Sequence, residues 1–167
     1  TQTKRQFVAL NAAASGVKEL RDVLVKARTR LETSGERTLL FIDELHHFNK
    51  LQQDVLLPDV EAGVVSLIGA TTSNPFFSLV SALISRSQIF EFKTIEQADI
   101  RELLQRALLD KERGLGQHDI EVEEDALAFL ADVCDGDARR ALTALEIAAL
   151  SLDDENKRIT LEVAQES

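Results

Sequence analysis

The sequence predicts an α/β domain with a parallel sheet, followed by a small all-helical cluster. Three observations point there. Short apolar runs alternate with amphipathic stretches up to about Lys93; only helical periodicity recurs from Thr94 onward; and 44% of the 167 residues are hydrophobic, enough for a real core. Strands separated by helices are joined by crossovers, the connection that parallel pairing requires. The expected units are therefore residues 1–93 and residues 94–167.

In the first half, Phe7-Val8-Ala9-Leu10 reads as a short strand. Ser15 is positioned to cap a helix whose Val17, Leu20, Val23, Leu24, Ala27 and Leu31 share one face, and Ser34-Gly35 ends it. Residues 39–43 follow as a strand buried on both faces, because the run is apolar until it stops at Asp43. A helix is expected over 49–60, kinked or interrupted by Pro58. Gly63 turns the chain into a strand over 64–71, Asn74-Pro75 lies in a loop, 78–84 is helical, and 89–92 forms a last short strand. In the second half, Thr94-Ile95-Glu96-Gln97 has the form of a capping box for a helix reaching about Asp110. A loop follows over 114–118, then a helix over 123–134 with Ala126, Leu127, Phe129, Leu130 and Val133 inside. Gly136 breaks the chain, Asp137 caps a helix over 138–150, and 160–166 begins a fourth.

Composition narrows the function classes. No run approaches the roughly 18 apolar residues of a membrane helix, and Thr-Gln-Thr-Lys-Arg-Gln at the start has no apolar signal core behind it. The single cysteine, Cys134, excludes an internal disulfide framework and suits a reducing compartment, so the cytoplasm, or the nucleoid within it, is the expected location. His46, His47 and His118 lack the cysteine spacing of a zinc site. The net charge of −10 is uneven: residues 1–93 carry 11 basic against 10 acidic side chains, and residues 94–167 carry 8 against 19. Phosphate contacts dominate nucleic-acid affinity, so the acidic half is no DNA-binding face, and DNA would be met elsewhere or through a ring of subunits.

The candidate chemistry sits at strand ends. Thr38-Leu39-Leu40-Phe41-Ile42-Asp43-Glu44 closes an apolar run on two adjacent carboxylates. Either the acids simply meet solvent, or they occupy the place where open α/β sheets bind ligands, the first holding Mg²⁺ and the second preparing a water. The second strand ends in Gly69-Ala70-Thr71-Thr72-Ser73-Asn74-Pro75; if it lies beside the first, Thr72 or Asn74 enters the same crevice to orient a water or sense a terminal phosphate, and otherwise the stretch is a self-bonded turn. Arg86, after Ser85, is either a surface residue or a bidentate phosphate ligand reaching a neighbouring subunit. Arg139 and Arg140 lie in the first turn of a helix, where the macrodipole disfavours cations; they either meet an external anion or pair with Asp132, Asp135 or Asp137.

Together these elements carry a resemblance. The chain resembles AAA+ ATPases, and within them the RarA/MgsA group, whose eukaryotic relatives are the Werner-helicase-interacting ATPases. The resemblance rests on Ser15-Gly16-Val17-Lys18-Glu19, on residues 40–46 with Asp43-Glu44, on Phe48-Asn49-Lys50-Leu51-Gln52-Gln53-Asp54, on residues 67–72, on Asn74-Pro75 and on residues 136–142. It implies that Asp43 is the Walker B aspartate, holding Mg²⁺ through water, and that Glu44 activates the hydrolytic water. It implies that Thr72 is the first sensor with Asn74 close by, that Arg86 is an arginine finger acting on ATP in a neighbouring subunit of a homo-oligomer, and that Arg139 is the second sensor on the helical lid. It further implies a replication-associated recombination or repair ATPase that meets DNA and replication-fork proteins at stalled forks. A clamp-loader-like subunit and an adaptor without a phosphate loop are the alternatives. Residues 48–54 and Asn74-Pro75 favour the RarA group over a clamp loader.

One departure matters. The family's Gly-rich phosphate loop, ending in Lys-Ser/Thr, is not in this sequence: the glycines at 16, 35, 63, 69, 114, 116 and 136 include no pair at that motif's five-residue separation. The expectation is a central fragment, inactive alone and with little nucleotide affinity. In AAA+ folds the missing strand lies between the one ending at Thr72 and the one at 89–92. The unpaired edges should therefore make the chain self-associate or displace its last strand. The absence of Met agrees with a fragment. His47, where relatives often carry Arg, is a smaller departure.

Overall fold

Parallel strands need partners and crossovers, and the computed structural model, which describes residues 5–153 and 157–167, supplies both in its first part. Strands β1 (Gln6–Asn11), β2 (Thr38–Asp43) and β3 (Val65–Gly69) pair in parallel in the order β1-β2-β3. Asn11 lies beside Asp43 and Ile42 beside Gly69, so all three strands end along one rim. Helices α1 (Val17–Ser34) and α2 (Lys50–Glu61) are the two crossovers. Leu20, Leu24 and Ala27 of α1 and Leu56 of α2 are buried in one core with Leu10, Leu40 and Ile42. Two short helices follow, α3 (Pro75–Ser78) and α4 (Ser81–Ile84). By backbone contacts the chain divides into two compact units, Thr1–Phe90 and Glu91–Ser167.

Several local expectations change. Strand β2 alternates: Thr38, Leu40 and Ile42 are buried, whereas Leu39, Phe41 and Asp43 are only half-buried, so one face is sealed and the other stays partly open. Phe7 stacks on Phe41 on that open face, with ring centroids 6.5 Å apart. Pro58 does not interrupt α2, which runs on to Glu61; the cost is local, because Pro has no N–H to offer the carbonyl of Asp54. Ser15 is not a cap, since Gly16 holds that position without a side-chain bond. Strand β3 stops at Gly69 rather than reaching Thr71. The strand expected over 89–92 is absent. Residues 87–96 have no regular structure, with Phe90 72% and Phe92 96% exposed, because no strand lies beside them to complete a ladder.

The second unit packs helices α5 (Gln97–Leu109), α6 (Glu124–Val133), α7 (Ala138–Leu150) and α8 (Leu161–Glu166) around Ile100, Leu104, Leu127, Leu130 and Leu145. Asp137 caps α7 and Thr160 caps α8, as their side chains suggest. Thr94 caps nothing, because α5 starts after Glu96. Val133 faces solvent and Cys134 takes the buried place. The unit is not purely helical: β4 (Glu121–Val122) and β5 (Arg158–Ile159) form a two-residue parallel ladder too short to show a period of two. Gly136 has φ +75°, and a Cβ there would stand 2.8 Å from the Ile95 carbonyl oxygen, so both conformation and space call for glycine. Among the described residues no helix is long and apolar enough to cross a membrane.

Candidate active site at the strand ends

The rim of the sheet gathers the polar groups. Asp43 closes β2; its carbonyl accepts from Ala12 N–H at 2.9 Å, and its Oδ1 accepts from Glu44 N–H at 3.1 Å. Glu44 then adopts φ 51°, ψ 44°, a left-handed backbone that costs a non-glycine residue roughly 1–2 kcal/mol. Such strain persists only where the surroundings fix it. Here the following Leu45 is buried, its N–H donates to Ala70 O at 2.9 Å, and its side chain fills the space where Gly69 lacks a Cβ. The turn continues as a 3₁₀ helix over Leu45–His47.

The left-handed turn brings the Glu44 carboxylate to the end of β3. Thr72 Oγ1 donates to Glu44 Oε2 at 3.2 Å, and His46 Nδ1 lies 3.2 Å from the same oxygen. Thr71 Oγ1 is 2.9 Å from His46 Nδ1. Asp43, Glu44 and Thr72 therefore share one end of neighbouring strands. Asn74 Oδ1 accepts from Phe76 N–H at 3.0 Å and caps the short turn of α3. Among the described residues, no hydrogen bond joins it to Glu44.

Arg86 is tied within its own unit. Its Nη2 pairs with Glu61 Oε1 at 2.7 Å, and its Nη1 donates to Ala82 O and Ser85 Oγ. Glu61 stands in the last turn of α2. In the second unit, Asp137 Oδ1 accepts from the backbone N–H groups of Arg139 and Arg140, at 2.9 and 3.1 Å. The guanidinium groups of these two arginines have no ion pair among the described residues, so the nearby aspartates do not neutralise them.

No group of three or more metal-ligating side chains occurs among the described residues. Mg²⁺ keeps several waters and commonly takes one or two carboxylates plus substrate phosphate oxygens. Asp43 fits the part, because a single backbone N–H engages one of its oxygens.

Sequence reasoning passed over four residues. His46 and Thr71 flank the site without any periodic signal, and Glu61 looked like ordinary helix surface. Gln53 is 1% exposed: it donates to Phe48 O and Ser78 O and accepts from Val80 N–H, stitching α2 to the stretch that leads to Arg86. In the sequence Gln53 stands within the 48–54 stretch that carries the resemblance, with no role attached to it.

Comparison with known proteins gives the chain's family and the solved structures that share its fold. Residues 116–167 match the AAA C-terminal domain family. The chain is 45% identical over 152 residues to replication-associated recombination protein A of Escherichia coli K12, covering 90% of this chain and 34% of that protein. It is 46% identical over 140 residues to ATPase WRNIP1 of Dictyostelium discoideum, covering 84% of this chain and 16% of that protein. This chain belongs to the RarA-type AAA+ family. A Mycobacterium tuberculosis AAA domain-containing protein is 46% identical across 99% of the chain. The RarA-type chain spans about a third of the length of the bacterial relatives. The solved RuvB Holliday junction branch migration motor of Thermotoga maritima shares its fold, with TM-score 0.72 and 24% identity over 96% of this chain and 51% of that one.

Proposed function

We propose that this chain provides the water-activating, sensing and lid portions of an ATPase acting in replication-associated recombination, within a protein that also carries a phosphate-binding loop. The observation that carries the reading is the 3.2 Å contact between Thr72 Oγ1 and Glu44 Oε2, beside Asp43 on the adjoining strand end. The names of the relatives supply the biological setting. Phosphoryl transfer requires positioning and electrostatic stabilisation rather than covalent chemistry, and these residue types suit it. Asp43 would hold Mg²⁺, whose charge would offset that developing on the phosphate oxygens. Glu44 accepts a proton from the attacking water, and Thr72 fixes the orientation of its carboxylate. Arg86 reaches the nucleotide of an adjacent subunit in a homo-oligomer, exchanging Glu61 for phosphate oxygens; Arg139 approaches from the lid. Stalled forks, their DNA and fork proteins are the proposed targets of the assembled ATPase. The cytoplasm, around the nucleoid, is its proposed location.

The test is ATP turnover and nucleotide binding by the full-length protein carrying Glu44→Gln. The variant should bind ATP and fail to hydrolyse it. Equal turnover of variant and wild type would overturn the reading. A full-length protein that binds no ATP would favour an adaptor.

A further inference from the structure

The hydrogen-bond accounting around His46 goes beyond those roles. Thr71 Oγ1 has one proton to give and two lone pairs to offer. It lies 3.1 Å from Ser73 N–H, which donates to it, 3.3 Å from Ser73 O, and 2.9 Å from His46 Nδ1. Glu44 Oε2, which has no proton as a carboxylate, lies 3.2 Å from that same Nδ1. A bare Nδ1 would point its lone pair at a carboxylate oxygen and would draw the Thr71 proton away from Ser73 O. With a proton on Nδ1 every group is served. That proton is shared between Thr71 Oγ1 and Glu44 Oε2, and Thr71 accepts twice and donates once, to Ser73 O. The His46 ring is held among these groups with its side chain 18% exposed, and it stacks at a tilt on His47, with centroids 4.4 Å apart.

We infer that His46, set in its tautomer by Thr71, is a positioning residue for Glu44: it and Thr72 hold Oε2 from two sides and leave Oε1 as the oxygen that accepts a proton from water. The inference rests on the ATPase reading for its catalytic meaning, but the clamp itself is a property of this chain. Donors to Glu44 come from both walls of the crevice, His46 from the turn after β2 and Thr72 from the end of β3. The carboxylate is therefore held across the gap rather than by its own turn alone. A misplaced base loses rate out of proportion to the movement, as much as roughly 100-fold for about 1 Å.

The experiment has two arms. In this chain, nitrogen-15 NMR of the His46 ring, at a pH where it is neutral, should show the proton on Nδ1 and a bare Nε2. Thr71→Val and Glu44→Ala should each shift the population toward the Nε2–H form. A bare Nδ1 in the wild-type chain, or a tautomer indifferent to both substitutions, overturns the clamp. In the full-length ATPase, His46→Ala should lower kcat roughly 10- to 100-fold with KM for ATP little changed. His46→Asn, whose amide places a donor near the former Nδ1, should recover most of that loss. A loss confined to KM, or Asn no better than Ala, overturns the positioning role. If Glu44→Gln hydrolyses ATP like wild type, the ATPase reading fails and the catalytic role of His46 fails with it. The NMR arm then reports on the clamp separately.

Discussion

The two units solve the same burial problem with different chemistry. All three buried polar side chains among the described residues, Thr38, Gln53 and Asp59, lie in the sheet unit. Each is tied across the chain: Arg30 donates to Thr38, Gln53 bridges α2 to residues 78–80, and Arg28 forks onto Asp59 through Nε and Nη2, the latter at 2.7 Å. The buried residues of the helical unit are apolar, with Cys134 donating only to the carbonyl of Ala131. Helices satisfy their own backbone, whereas strand ends and the turns after them leave groups that something else must meet. Of the three ties only Gln53 meets backbone groups of this kind, at Phe48 O, Ser78 O and Val80 N–H, whereas Arg30 to Thr38 and Arg28 to Asp59 join side chains of neighbouring elements. The candidate site at the strand ends uses other residues of the same unit.

The sharpest way to probe this contrast separates activity from stability. Arg86→Ala in the full-length ATPase should reduce turnover by roughly 10³–10⁵ if the arginine acts as a finger. The exposed pair it makes with Glu61 is worth only about 0.2–1 kcal/mol to the fold. Unchanged turnover would reject the finger. A loss of stability matching the loss of rate would make Arg86 another tie of the sheet unit.

Arg28→Ala should destabilise the sheet unit by about 3 kcal/mol, because it strands the buried Asp59 carboxylate; the half-exposed arginine keeps the effect at the low end for a broken buried pair. Gln53→Ala should cost a similar amount, about 1–3 kcal/mol for each group left unpaired, less what water recovers. Leu130→Ala, the apolar counterpart in the helical unit, should cost about 2–5 kcal/mol. Denaturant midpoints at constant m-value decide among them. Near-neutral results for Arg28→Ala and Gln53→Ala would erase the contrast between the units.

Limited chymotrypsin digestion should cut first at Phe90 or Phe92, in an exposed stretch without regular structure. Protection there would mean that the segment is covered in solution. The smallest expected effect lies at the site itself. Glu44→Gly should be more stable than Glu44→Ala by about 1 kcal/mol, the reverse of the usual order, because of the left-handed backbone. Equal stability of the two variants would show that the turn relaxes in solution.

Much of this was legible in the sequence, for identifiable reasons. The strand ending at Asp43 followed from its apolar run and the parallel pairing from strands alternating with helices, and Asp137 advertised its cap. Pairing was the unreadable part. Residues 89–92 have strand composition, yet a strand exists only where a ladder receives it. The two-residue ladder between β4 and β5 is below the length at which alternation can appear. The roles of His46 and Thr71 depend on contacts across 25 residues of sequence, and no local pattern encodes them. The Asn74 side chain accepts from a backbone N–H two residues away, a contact that the Asn-Pro pair already suggests.

The unusual backbone of Glu44 sets two pressures against each other. Conformation favours glycine, with asparagine or aspartate next, while the proposed proton transfer needs a longer carboxylate reaching Thr72 and His46. A laboratory selection that rewards heat resistance alone should drift away from glutamate at this position. One that rewards nucleotide turnover should restore it, at the expense of melting temperature.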